Sequence, residues 1–190
     1  QDREDLLRLY GADDARIQMV PCGVDLDEFG PGDRAQARRE LGYGDDDFVV
    51  LQLGRMVPRK GVDNVIRAVA ELAHGPRPAG GARPVHLLVV GGNSAQPDER
   101  ATPEIGRLRA IAGAAGIGDR VRFTGQRQRE ALRACYLAAD VFVSTPWYEP
   151  FGITPLEAMA CGTPVVGSAV GGIRFSVQDG VTGYLVPPRD

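Results

Sequence analysis

The chain predicts an α/β fold: a Rossmann-like, three-layer domain on a mostly parallel sheet. Three observations lead there. Short apolar runs such as Val49-Val50-Leu51-Gln52-Leu53 alternate with stretches whose apolar residues recur every three or four positions. The runs are apolar on both sides, the pattern of strands covered by helices on both faces. Glycines follow the runs at Gly54, Gly91-Gly92, Gly125, Gly152 and Gly171-Gly172, where a chain leaving a strand turns sharply or passes close to a ligand.

Taken in order, Ile17 to Val20 reads as a strand arriving from upstream and turning at Pro21-Cys22-Gly23-Val24-Asp25. Residues 1–20 are therefore expected to be a remnant of an upstream domain or linker, and residues 21–190 the Rossmann-like domain, cut before its final helices. The chain opens on Gln1 instead of Met and closes on Pro187-Pro188-Arg189-Asp190 directly after a strand, so both ends read as cuts. Asp33 to Leu41 is a small helix. Val49 to Leu53 is a strand closed by Gly54, and from Val62 the positions Val65, Ile66, Val69 and Leu72 make a helical stripe. Val85 to Val90 is a strand, Glu104 to Ala115 a helix stopped by Gly116 and Gly118, and Val121 to Phe123 a strand ending at Gly125. Glu130 to Ala138 is a short helix, Val141 to Val143 a strand, Pro155 to Cys161 a helix, Pro164 to Gly167 a strand and Tyr184 to Val186 the last one. The Gly- and Pro-rich stretch from Gly75 to Pro84 joins a helix to the start of a strand, and reads as a flexible surface insertion on the edge away from the ligand.

Composition narrows the function. A length of 190 residues with 43% hydrophobic content supports one real core. Lys and Arg total 22 against 25 Asp and Glu, and no basic block is interleaved with aromatics, which argues against nucleic acid as a partner. Cys22, Cys135 and Cys161 form no paired framework, so a reducing compartment, the cytoplasm, is expected. No run of 18 apolar residues and no leader pattern appears, so no transmembrane segment is expected, with room left for a peripheral membrane contact of the longer protein. His74 and His86 are the only 2 histidines and lie on the wrong edge for catalysis; with so few His and Cys, no metal site is expected.

In such sheets a ligand binds outside the carboxyl ends of the strands, and three segments there could do chemistry. In the loop Gly54-Arg55-Met56-Val57-Pro58-Arg59-Lys60-Gly61, Arg55 and Lys60 either bring two cations to a helix start that already favours an anion or are plain surface charges. The loop fits neither GxxxxGK[ST] nor GxGxxG, so neither an ATPase nor a conventional dinucleotide site is indicated. The second segment runs from Glu149 through Pro150-Phe151-Gly152-Ile153-Thr154-Pro155-Leu156 to Glu157. Thr154 and Glu157 read as a capping box with Pro155 at the first helical position. Glu157 then either only satisfies the Thr154 amide or also accepts sugar hydroxyls. Glu149, after the aromatic Trp147-Tyr148, is either solvated at a rim or assigned to a polar ligand. Two such carboxylates also suit hydrolysis, but neighbouring cations and amide-rich helix starts suit a phosphate leaving group better. In the third segment, Gly171-Gly172 either closes backbone over the ligand or makes a tight turn.

Together with Leu156-Glu157-Ala158-Met159-Ala160-Cys161-Gly162-Thr163-Pro164-Val165-Val166 and Asp179-Gly180-Val181-Thr182-Gly183-Tyr184-Leu185-Val186, these segments resemble the carboxyl-terminal, donor-binding half of a retaining glycosyltransferase of GT-B type, family 4. The similarity runs from about Ile17 to Asp190 and is most specific from Glu149 to Gly172. It implies that a nucleoside diphosphate sugar, as donor substrate and with no other cofactor, binds between this half and an amino-terminal acceptor-binding domain that the sequence lacks. By motif, Arg55 and Lys60 would grip the diphosphate and Glu149 would face the sugar hydroxyls, these three being the catalytic set. Glu157 would bind the ribose. Gly54 and the amides around Gly152, Ile153 and Thr154 would hold sugar and phosphate, while Gly125, Gln126 and Arg127 would border the base. Transfer would retain anomeric configuration through an oxocarbenium-like state, with the leaving diphosphate helping to deprotonate the acceptor and no metal needed. The resemblance leaves the base open among uridine, guanosine and adenosine, and implies that the fragment alone transfers nothing. The alternative is a non-catalytic nucleotide-binding regulatory or scaffold module of the same fold, which would not need Arg55, Lys60, Glu149 and Glu157 all at once.

Overall fold

The computed structural model describes residues 2–20, 22–76 and 83–188. In chain order the helices and strands are α1 (Asp2–Tyr10), α2 (Arg34–Leu41), β1 (Phe48–Leu53), α3 (Val62–His74), β2 (Val85–Val90), α4 (Pro103–Ala114), β3 (Val121–Phe123), α5 (Arg129–Ala138), β4 (Val141–Ser144), α6 (Ile153–Ala160), β5 (Val165–Ser168), α7 (Ile173–Ser176) and β6 (Gly183–Val186). The strands form one sheet in the order β3-β2-β1-β4-β5-β6, and every neighbouring pair is parallel. This is the strand order of the doubly wound dinucleotide folds. From β1 the chain winds outward to β3, then crosses to β4 and winds the other way. The direction reverses between β1 and β4, and the crevice where their carboxyl ends part is where such sheets place a ligand.

The strands read as apolar on both sides because each side has its own core. Val50, Leu87 and Val89 pack with Val62, Val65, Ile66 and Val69 of α3 and with Ile105 and Leu108 of α4. Val49, Leu51, Leu88, Val90 and Phe142 point the opposite way and pack with Phe29, Cys135, Tyr136, Ala158 and Ile173. Adjacent strand residues face opposite layers, so β1 is apolar on both sides from Val49 to Leu51, with the buried Gln52 as its polar exception. Each fully buried aliphatic side chain here contributes about 1.5 to 3 kcal/mol.

One sheet face is covered only in part. Between α3 and the strands β4 to β6 an apolar groove of about 510 Å³ remains open, lined by Val69, Leu72, Val143, Val166 and Tyr184 among others. Leu72, expected in the buried stripe of α3, is 61% exposed on this groove.

Other expectations need correction. Ile17 to Val20 pairs with no strand, and Met19 and Val20 are exposed; with these side chains in solvent, no buried face fixes the segment against an edge of the sheet. A helix that was not expected, α1, precedes it. The short α7 was also not expected and follows Gly172 directly. Helix α6 begins at Ile153, two residues before the predicted start, with Gly152 as its N-cap and no side-chain cap. Pro155 is therefore its third residue, where a missing N–H costs no helical hydrogen bond. The Gly75 to Pro84 insertion lies largely outside the described residues.

The amino-terminal end of the sheet is tied by one carboxylate. Asp140, between α5 and β4, accepts hydrogen bonds on Oδ2 from Arg38 Nη2 (2.6 Å) and the Val49 amide (2.7 Å). Its Oδ1 accepts from Arg34 Nη2 (2.5 Å) and Arg83 Nη1 (3.1 Å). Arg38 is buried and spends its remaining donors on the carbonyls of Ala138, Gly44 and Asp45. Burial opposes the charged form of Asp140, but the Val49 amide and the Arg34 and Arg38 guanidiniums outweigh it and hold the carboxyl below its ordinary range.

Candidate functional site

At the opposite end, the loops leaving β1 and β4 are bonded to each other across the switch point. After Gly54 the chain makes a short 3-10 turn over Pro58–Lys60, and Gly61, at φ +66°, starts α3. Arg59 Nη1 donates to the Tyr148 carbonyl (2.9 Å), the Trp147 amide to the Arg59 carbonyl (2.9 Å), and Thr145 Oγ1 to the Gly61 carbonyl (3.0 Å). Any side chain at position 61 would run into the Thr145 carbonyl. Glycine is thus required there for the left-handed backbone and for the close approach together.

These bonds set Lys60 opposite Glu149, and the two form an ion pair through Lys60 Nζ and Glu149 Oε2, with side chains 15% and 17% exposed. Sequence reasoning left Glu149 either at a solvated rim or on a ligand; in the structure its partner is Lys60. Arg55 is exposed and takes no part in this pair.

The loop carrying Glu149 is braced from behind. The Gly172 amide donates to the carbonyls of Glu149 (3.2 Å) and Pro150 (3.1 Å), and neither Gly171 nor Gly172 leaves space for a Cβ beside that backbone. The glycine pair therefore seats the loop of Glu149 on the start of α7. It does not form a flap of its own. Gly152 then turns the chain at φ +82° into α6, where a Cβ would stand 3.6 Å from Glu149 Cγ. With no side-chain cap, the amides of Ile153 and Thr154 are left as donors at the helix mouth. They sit beside the Lys60–Glu149 pair, as the positive end of the helix dipole.

Glu157 does not close a capping box. It lies on the inner side of α6, 5% exposed, and accepts a hydrogen bond from Tyr136 Oη at 2.7 Å. Burial raises its pKa, against the opposing effects of the Tyr136 hydrogen bond and the nearby Arg129 charge. Tyr136 is fully buried, edge-on to Phe29 and Phe142, and its own carbonyl accepts from Thr163 Oγ1 (2.7 Å). Sequence reasoning missed Tyr136. The signal was a tyrosine on the apolar face of a predicted helix, since a buried hydroxyl needs a partner.

The loops after β2 and β3 border the site on the far side of β1. The Gly91 amide donates to the Gly125 carbonyl (3.0 Å), and Gly54 packs against Gly91, so these strand-end glycines do gather at one edge. Gln126 is exposed, its amide donating to the Ser94 carbonyl (2.8 Å), while Arg127 Nη1 reaches the Ala95 carbonyl (2.8 Å). The structure thus brings Lys60, Glu149, Gly152, Ile153 and Thr154 together, places Glu157 behind them, and sets Gly54, Gly125, Gln126 and Arg127 along the neighbouring rim.

Known proteins resemble this chain in sequence and in fold. The chain is 43% identical over 193 aligned positions to the D-inositol 3-phosphate glycosyltransferase of Mycobacterium sp. (strain KMS), covering 100% of the chain and 40% of that protein. It therefore spans about two-fifths of the length of such curated relatives. Sucrose-phosphate synthase from Thermosynechococcus elongatus superposes with a TM-score of 0.82 at 38% identity, over 100% of this chain and 44% of that one. Anabaena HepE, solved in complex with UDP and glucose, gives a TM-score of 0.72 at 30% identity over 88% of this chain and 42% of that one. Among the described residues no helix is long and apolar enough to cross a membrane. The doubly wound sheet, the switch-point loops and a match of residues 33–190 to the family model for glycosyl transferases group 1 converge, and the chain belongs to that family.

Proposed function

We propose that this chain is the donor-binding half of a retaining glycosyltransferase that moves a hexosyl group from a nucleoside diphosphate sugar to an acceptor. One observation carries the reading. A lysine, a carboxylate and an uncapped helix start meet at the topological switch point of the sheet, and the lysine and the helix start favour an anion. The diphosphate lies against Lys60 and the amides of Ile153 and Thr154, with Arg55 swinging in from its exposed position. Glu149 faces the sugar hydroxyls and Glu157 the ribose. Gly125, Gln126 and Arg127 border the base. As the glycosidic bond breaks, negative charge grows on the leaving diphosphate, where cations and preorganised amides stabilise it most. No other cofactor enters.

HepE is described with UDP and glucose, and UDP-glucose is accordingly the first donor to test. The relatives named for D-inositol 3-phosphate make that molecule the first acceptor. Acceptor contacts belong to the partner domain, so the 190 residues bind donor but transfer nothing alone. The test is sugar transfer by the longer polypeptide that holds both halves, with the product anomer read by NMR. Retention, with transfer lost in Glu149→Ala, supports the reading; inversion, or full activity in that variant, overturns it.

A further inference from the structure

We propose that Lys60 and Glu149 couple the diphosphate and sugar positions of the site, so that Glu149 makes the site favour the intact nucleotide sugar over the free nucleoside diphosphate. The inference rests on the function just proposed and deepens it.

In the free protein the two charges already neutralise each other, and among the described residues neither is paired with any other side chain. The backbone under both is held by the Arg59–Tyr148, Trp147–Arg59 and Thr145–Gly61 hydrogen bonds and by Gly172 beneath Glu149. The adjustment to a ligand therefore falls on the two side chains, not on the loops.

A phosphate arriving at Lys60 meets a carboxylate already there, and two anions compete for one cation. Free nucleoside diphosphate draws Lys60 away and leaves the Glu149 carboxylate without its partner and beside new negative charge, a penalty on the scale of one partly exposed ion pair. An intact nucleotide sugar brings hydroxyls that can donate to the released carboxylate and replace its lost partner. The penalty thus falls on the diphosphate alone, which is discrimination by destabilising the wrong ligand. After transfer the hydroxyls are gone, Glu149 returns to Lys60, and the hold on the product weakens. By linkage, each position alters the affinity of the other equally.

The test measures the Kd of UDP and of UDP-glucose by calorimetry for the parent chain, Glu149→Gln, Glu149→Ala and Lys60→Ala. Both Glu149 variants should bind UDP more tightly, by about threefold to tenfold, the scale of one partly buried ion pair. Glu149→Ala should bind UDP-glucose more weakly, whereas Glu149→Gln, still able to bond hydroxyls, should largely keep it. A damaged fold cannot produce the gain in UDP affinity. If Lys60→Ala weakens UDP binding while both Glu149 variants leave it unchanged or weaker, the coupling is wrong and the site assignment stands. If the parent binds neither ligand, or Lys60→Ala binds UDP as the parent does, the site assignment itself falls.

Discussion

The two ends of the sheet use one kind of chemistry, a carboxylate facing cations, for opposite purposes. At the amino-terminal end Asp140 is saturated: three guanidiniums and a backbone amide converge on its two oxygens, and Arg38 beneath it has every donor group engaged. At the carboxyl-terminal end Glu149 faces one lysine, next to a helix start that no side chain caps. A saturated charge cluster can only hold the fold together. An undersaturated one keeps donors in reserve for a ligand, and the loops around it need bracing by glycine contacts and backbone bonds instead.

Changing the saturated end should break the comparison most visibly. Asp140→Ala leaves Arg38 buried with its charge uncompensated and should lower stability by about 3 to 5 kcal/mol in urea unfolding; a loss below about 1 kcal/mol would mean that the cluster is ornamental. The same group sets an acid limit. Because its folded pKa lies below the ordinary aspartate value of 3.8, its contribution is complete above that value and fades as pH falls below it. A thermal melt series below pH 4 should therefore decline more steeply for the parent than for Asp140→Asn.

Gly61→Ala comes next. A positive φ costs a non-glycine residue about 1 to 2 kcal/mol, and collision with the Thr145 carbonyl adds to it, so the two switch-point loops should part. Chemical denaturation should show a loss of about 2 kcal/mol or more, together with weaker UDP binding; parent-like values of both would remove the proposed bracing.

Lys60→Ala should reverse the pattern of Asp140→Ala. Folding stability should change by under about 1 kcal/mol, as for partly exposed pairs, while UDP affinity falls about tenfold or more, the size of one charge-assisted contact. Equal losses in both quantities would erase the distinction between the two ends.

The smallest effect is expected at Tyr136, a positioning residue that acts through Glu157. Tyr136→Phe should weaken UDP binding about threefold to tenfold while leaving inorganic pyrophosphate binding unchanged. A general structural fault would weaken both alike.

Much of this was legible in the residues. The strands from Val85 to Val90 and Val121 to Phe123 stand where the apolar residues put them: the first lies inside the sheet with both faces covered, and the second, at the edge, buries Val121 and Phe123 and exposes Arg122. The cluster of strand-end glycines was legible for a similar reason, since few other residues can turn there. The start of α6 was not. Thr154 and Glu157 have the spacing of a capping box, but Tyr136, eighteen positions before Thr154, offers Glu157 a buried hydroxyl, and Gly152 turns the chain two residues early. Local spacing cannot weigh a partner that arrives from another helix. Ile17 to Val20 failed in the same way, because an extended segment becomes a strand only where packing brings it to an edge, and neither β3 nor β6 pairs with it.

By itself the sequence determined the fold class and the kind of residues at the ligand edge, because periodicity and glycine placement act over a few neighbouring positions. It also marked Lys60 and Glu149 as charges near the same ligand. Only the tertiary structure decided that they pair with each other, that Arg55 stays outside the pair, and that Glu157 turns inward to Tyr136. A charged side chain settles on the nearest compensating group in space, and the reversal between β1 and β4 brings residues 89 positions apart to hydrogen-bond distance.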